Sequence, residues 1–186
     1  MLRQILVISL TLLLACCAVN DQKNVSINKP KEADVEEIKS WTIDGRLLIS
    51  ADEVLTTNLN WRHTRVMDNL KLAGVLGLGA ITIKLNETGI VIDKGYGKPL
   101  YSANVNEFIA QQLGFVVPIT ALRRWVVGKP LNGIPVIQLK DGFEQLGWQV
   151  TYNKFVETQV GWMPYKLKIT KDRIKLKLVV DKWEIE

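Results

Sequence analysis

From Trp41 onward, apolar and polar residues alternate along the chain. Trp41, Ile43, Gly45, Leu47 and Ile49 fall on one side, and Thr42, Asp44, Arg46, Leu48 and Ser50 on the other. That is the period of a strand with one face on a core and one in water. It recurs in Leu55-Thr57-Leu59-Trp61, in Val66-Asp68-Leu70-Leu72, in Ile81-Ile83-Leu85 and in Ile90-Ile92. Short gaps between these runs predict an antiparallel meander. A second block comprises Trp148-Val150-Tyr152, Tyr165-Leu167-Ile169 and Ile174-Leu176-Leu178-Val180 up to Trp183, with lysines at alternate positions.

Two helical segments separate the blocks. Asn104 precedes the first, with Glu107 three residues on in a capping-box-like start, and Gly114 stops it. Val105, Phe108, Ile109 and Leu113 then share one face. The second runs from about Ile119 to Val127, with Ile119, Leu122 and Trp125 or Val126 on one face and Gly128 and Pro130 beyond it. Both faces need cover. Eight or more half-apolar strands plus helices from mid-chain predict a strongly curved sheet with the helices over its concave side, a shape that can enclose a pocket.

The first residues follow another rule. Arg3 supplies a positive start, and Ile5 to Leu14 is an apolar run broken only by Ser9 and Thr11, which reads as a signal peptide over residues 1–15. The run is about half the ~20 apolar residues that a spanning helix requires. It ends in Leu13-Leu14-Ala15-Cys16, which resembles the lipobox of bacterial lipoproteins. That resemblance implies cleavage before Cys16, with S-diacylglycerol and N-palmitoyl chains on that cysteine and no other cofactor. The alternative is a leader in which Cys16 and Cys17 are merely small apolar residues. Each buried methylene contributes about 0.8 kcal/mol, so several acyl chains make an effectively permanent anchor. By resemblance to enterobacterial lipoproteins, an Asp after the lipidated cysteine favours the inner membrane. Cys17 stands there instead, which points to the periplasmic face of the outer membrane.

Residues 16–40 read as the lipidated N-terminus and a polar tether, with at most a short helix near Ala33 to Ser40. The folded domain is expected over residues 41–186. With 47% hydrophobic and 23% charged residues it can bury a sizeable core. The only cysteines are the adjacent pair at the leader, so the core must hold the domain without an internal disulfide framework.

Several blocks are similar in kind and order to the LolB family of outer-membrane lipoprotein receptors: WTIDGRL from Trp41, LNWR from Leu59, LGLG from Leu76, ALRRWVVGKP from Ala121, GWQVTY from Gly147 and RIKLKLVVDKW from Arg173. The resemblance implies an incomplete antiparallel β-barrel of roughly 11 strands with a helical lid over an apolar cavity. It further implies that the chain, as a monomer, receives acylated lipoproteins from the periplasmic chaperone LolA and passes them to membrane lipid. No bond chemistry is involved.

Within Ala73-Gly74-Val75-Leu76-Gly77-Leu78-Gly79, three glycines break the strand alternation while large apolar residues remain between them. Exposed at a loop tip, Val75, Leu76 and Leu78 would each gain roughly 1.5 to 3 kcal/mol on full burial in lipid. The family resemblance implies a membrane-insertion role for Leu76. The family often has Pro where Val75 stands, which leaves this tip less rigid. The alternative is a glycine-rich hairpin folded onto the core. Trp61, Trp125, Trp148 and Trp183 fall on apolar faces, where they either line the cavity or pack the core.

Other functions lack parts. His63 is the only histidine, so a multi-histidine metal site cannot be built. Beside Arg62 and Arg65 at a hairpin end, it reads as an exposed loop residue. Ser26, Ser40, Ser50 and Ser102 lack a nucleophile-elbow context. Gly77-Leu78-Gly79 and Gly95-Tyr96-Gly97 lack the third glycine and following helix of a phosphate-binding turn. The net charge of +5 includes lysine-rich strand faces at Lys166, Lys168, Lys175 and Lys177, and export argues against a nucleic-acid partner. A lipid-anchored carrier of another apolar ligand, or an assembly scaffold built on the same curved sheet, are the rival readings.

Overall fold

In a computed structural model the described residues are 38–74 and 80–186. The leader, Cys16, nearly all of the tether, and Val75, Leu76 and Leu78 lie outside them. The chain forms β1 (Trp41–Ser50), β2 (Val54–His63), β3 (Met67–Ala73), β4 (Ile81–Asn86), β5 (Gly89–Asp93) and β6 (Leu100–Ser102), then α1 (Val105–Leu113) and α2 (Ile119–Val126). β7 (Ile137–Leu139), β8 (Gly142–Gln145), β9 (Trp148–Thr158), β10 (Gly161–Lys171) and β11 (Ile174–Ile185) follow.

All 11 described strands join one antiparallel sheet in the order β6-β5-β4-β3-β2-β1-β11-β10-β9-β8-β7. The first block meanders outward from β1, the second meanders back, and the β1–β11 ladder joins them. β6 and β7 remain separate edges, so the barrel is incomplete. The helices occupy the link between those edges. Their apolar residues Ile109, Ile119, Ala121, Trp125 and Val126 join one core with Ile43, Leu59, Leu70, Ile90, Val150 and Leu167 of the sheet. The helical segment therefore covers the apolar face, as the alternation requires.

Both helix starts follow from local chemistry. The Asn104 side chain accepts from the Glu107 N–H at 3.4 Å and donates to the Glu107 carboxylate at 2.7 Å. Gly114 ends α1 in the left-handed region at φ 77°, its N–H bonded to the Ala110 carbonyl. α2 begins behind Pro118, whose carbonyl accepts from Ala121 and Leu122 at 2.9 and 3.0 Å. It ends at Val126, one residue before the expected Val127.

The remaining differences are local. β6, β7 and β8 span only three or four residues each, too few to display a period. Val66, expected in β3, is 71% exposed in the preceding turn. In β10, register shifts between Pro164 and Leu167 put Met163 and Pro164 inside and leave Tyr165 half-buried, which breaks the expected Tyr165-Leu167-Ile169 alternation. Residues 38–40 are not helical: Ser40 exchanges backbone hydrogen bonds with Glu186 and extends the β1–β11 edge.

Candidate functional site

The apolar face of the sheet and the helix lying on it form the one large hydrophobic region described. Trp125 of α2 is fully buried, with ring centroids 6.5 Å from those of Phe143 and Trp148. Aromatic pairs at this spacing contribute about 0.5–1.5 kcal/mol beyond their area. Polar groups brought in with this ring are all answered. The indole N–H donates to Gln145 Oε1 at 3.0 Å, and the Trp125 carbonyl accepts from the Tyr152 hydroxyl at 2.7 Å. Burial pushes the Tyr152 phenol well above its ordinary range.

Gln145 is itself 1% exposed. Its Oε1 also accepts from Leu131 N–H at 2.8 Å, and its Nε2 donates to the carbonyls of Leu131 and Ile134 at 3.0 and 3.1 Å. A buried amide is tolerated only when satisfied. Here that condition ties α2 and the segment after it to β8.

A second polar centre lies where α2 meets β2 and β3. Asp68 is 1% exposed on the core side of β3. Its Oδ1 accepts from the Trp61 indole N–H at 2.9 Å and lies 2.9 Å from His63 Nδ1. Its Oδ2 pairs with Arg123 Nε of α2 at 2.5 Å, a charge contact without an aligned hydrogen bond. Removing a carboxylate from water costs several kcal/mol unless charge and hydrogen bonds compensate, and three groups from β2 and α2 supply that compensation.

These contacts correct the reading of His63. It closes β2, its side chain is 22% exposed, and its ring sits 5.1 Å from that of Trp41. It is a partly buried partner of Asp68, not an exposed loop residue.

The four candidate tryptophans divide into two groups. Trp61 is buried on β2, edge-on to Trp41 at 5.0 Å, and half-buried Trp183 of β11 meets the same Trp41 at 5.8 Å. Trp125 and Trp148 pack together on the β8–β9 side with Phe143, whose ring meets Tyr152 at 6.2 Å. Trp125 and Trp148 meet directly, whereas Trp61 and Trp183 are joined through their common neighbour Trp41.

Asp68, Arg123, Gln145, Tyr152 and Trp41 were not singled out from the sequence. Asp68 carried a signal, since an acid occupied an inward register position between apolar residues. Gln145 carried none, because β8 is too short to show which side faces the core.

The family model described as outer membrane lipoprotein LolB matches residues 39–183. The chain is 28% identical to the outer-membrane lipoprotein LolB of Nitrosococcus oceani over 196 aligned positions, covering 97% of this chain and 96% of that one. It is 26% identical to the protein of the same name from Halorhodospira halophila, covering 79% and 76%. The corresponding protein of Pseudomonas paraeruginosa is 28% identical, with 90% and 85% covered.

Proposed function

Because the chain belongs to the LolB family of outer membrane lipoproteins, we propose that it takes acylated lipoproteins from the periplasmic chaperone LolA and inserts them into the inner leaflet of the outer membrane. Family membership places the chain at the outer membrane as a lipid-anchored protein with a role in lipoprotein localisation. Transfer from LolA, the lipid on Cys16 and the action of Leu76 are the finer steps of the proposal.

The observation that carries it is a helical cover whose apolar side lies on the apolar face of an unclosed sheet. Acyl chains and the helix's own apolar side chains compete for the same surface. Displacing part of α2 exposes that surface, and an acyl chain replaces the lost contacts at about 25 cal/mol per Å² of apolar area. Such an exchange needs no nucleophile, general base or metal. Its direction is set by the difference in affinity between donor and acceptor. Delivery then requires that lipid near the domain offer a better environment still, which Val75, Leu76 and Leu78 provide by entering the bilayer surface.

The test is transfer of a labelled triacylated lipoprotein from its LolA complex to residues 18–186, followed by gel filtration. Co-migration of label with the acceptor is the expected result. Retention of the label on LolA, with both proteins folded, would overturn the receptor function in favour of a carrier for another apolar ligand.

A further inference from the structure

The ladder between β10 and β11 stops before β11 does. It runs from Lys171 opposite Ile174 to Lys166 opposite Val179, whereas β11 stays paired with β1 as far as Ile185 opposite Trp41. Among the described residues, the last part of β11 is thus laddered on one side only. A groove of about 590 Å³ opens there, walled by all six residues from Val180 to Ile185 and, opposite, by Val156–Gln159 and Tyr165. Successive side chains of a strand point to opposite faces. Six consecutive lining residues therefore mean that the edge of β11, with its backbone groups, borders the groove.

Side chains stand in for the missing ladder. The Trp183 indole donates to the Pro164 carbonyl at 2.9 Å, and Gln159 Nε2 donates to the Ile185 carbonyl at 2.8 Å. Pro164 has no N–H to offer, and the register of β10 shifts immediately after it. One wall of the groove belongs to the interior: Val180 is a core residue, and Trp183 and Ile185 pack against the core.

We propose that this groove holds, by strand addition to β11, the extended peptide that follows the acylated cysteine of a lipoprotein cargo. The inference rests on the receptor function above. Acyl chains lodged against the core must be joined to a peptide that leaves it, and this solvent-open groove shares Val180, Trp183 and Ile185 with that core or its packing. Main-chain pairing reads no side-chain sequence, as cargoes sharing only an acylated terminus require. The incoming strand takes the place of both bridging donors, the Gln159 amide at the Ile185 carbonyl and the Trp183 indole at the Pro164 carbonyl, a substitution of hydrogen-bond donors one for one.

A photo-crosslinking residue at Glu157 or Lys182, in the full lipidated chain loaded with a triacylated lipoprotein, is expected to capture the N-terminal segment of the cargo. Yields should be several-fold above those from Lys177, where β11 is laddered on both sides. Cargo transfer is scored separately on the unsubstituted chain. Transfer without crosslinks at either position, or crosslinks only to the folded part of the cargo or to the chaperone, overturns the peptide site and leaves the receptor function standing. Absence of transfer overturns both.

Discussion

Asp68 of β3 and Arg123 of α2 form an ion pair across the sheet–helix interface, the carboxylate 1% and the guanidinium side chain 28% exposed. Taking away the carboxylate strands the Trp61 indole N–H as well as the cation. Asp68→Ala is expected to cost about 3 kcal/mol, the lower end of what breaking a buried pair costs. Urea unfolding measures it. A loss below about 1 kcal/mol would show that α2 is held without this centre.

Gln145 answers two N–H groups and two carbonyls. Gln145→Leu keeps the volume roughly constant and leaves those groups unanswered, at an expected cost of about 3 kcal/mol. Trp125 fluorescence should move to longer wavelength as its N–H seeks water. An unchanged thermal midpoint would contradict this role.

Tyr152 predicts alkaline sensitivity. Burial raises its folded pKa above the unfolded value of about 10. The neutral phenol's contribution is therefore fully present below about pH 10 and is lost as pH rises through the folded value. Tyr152→Phe should lower stability by about 1 kcal/mol at neutral pH, through loss of the bond to the Trp125 carbonyl. It should also flatten the decline above about pH 10. Equal slopes for both proteins would assign that decline to other groups.

Gly45 sits at the register shift in the β1–β11 ladder, and a Cβ there would meet the Val179 carbonyl oxygen. Backbone cannot step aside as a flexible side chain does. Gly45→Ala should cost about 1–3 kcal/mol by overpacking, read from the denaturation midpoint. A neutral effect would mean the two strands can separate at this point.

Leu76→Glu changes one apolar residue of the β3–β4 connection to a charge. Acceptance of lipoprotein from LolA should remain, while delivery into phospholipid vesicles falls by at least about tenfold, since losing roughly 1.5 kcal/mol of lipid burial corresponds to that factor. Normal delivery would remove Leu76 from the mechanism.

The period-two pattern of Trp41–Ile49, Leu55–Trp61 and Ile174–Val180, the Asn104 cap and Gly114 stop were legible in the sequence because each depends on neighbours within a few residues. Those local rules determined the eight longer strands, both described helices and, except at Val66 and in β10 around Tyr165, the sidedness of the sheet. Blocks such as ALRRWVVGKP carried the family resemblance, and the family match agrees with it. Tertiary structure alone decided which side chains complete the interior. Asp68 is tolerable only because Trp61, His63 and Arg123 converge on it, and Gln145 only because α2 and the following segment lie within reach. The end of the β10–β11 ladder is likewise decided in three dimensions, by β11 following β1 while β10 shifts register. Burying a polar group depends on partners far away in the chain, so no period or short motif announces it.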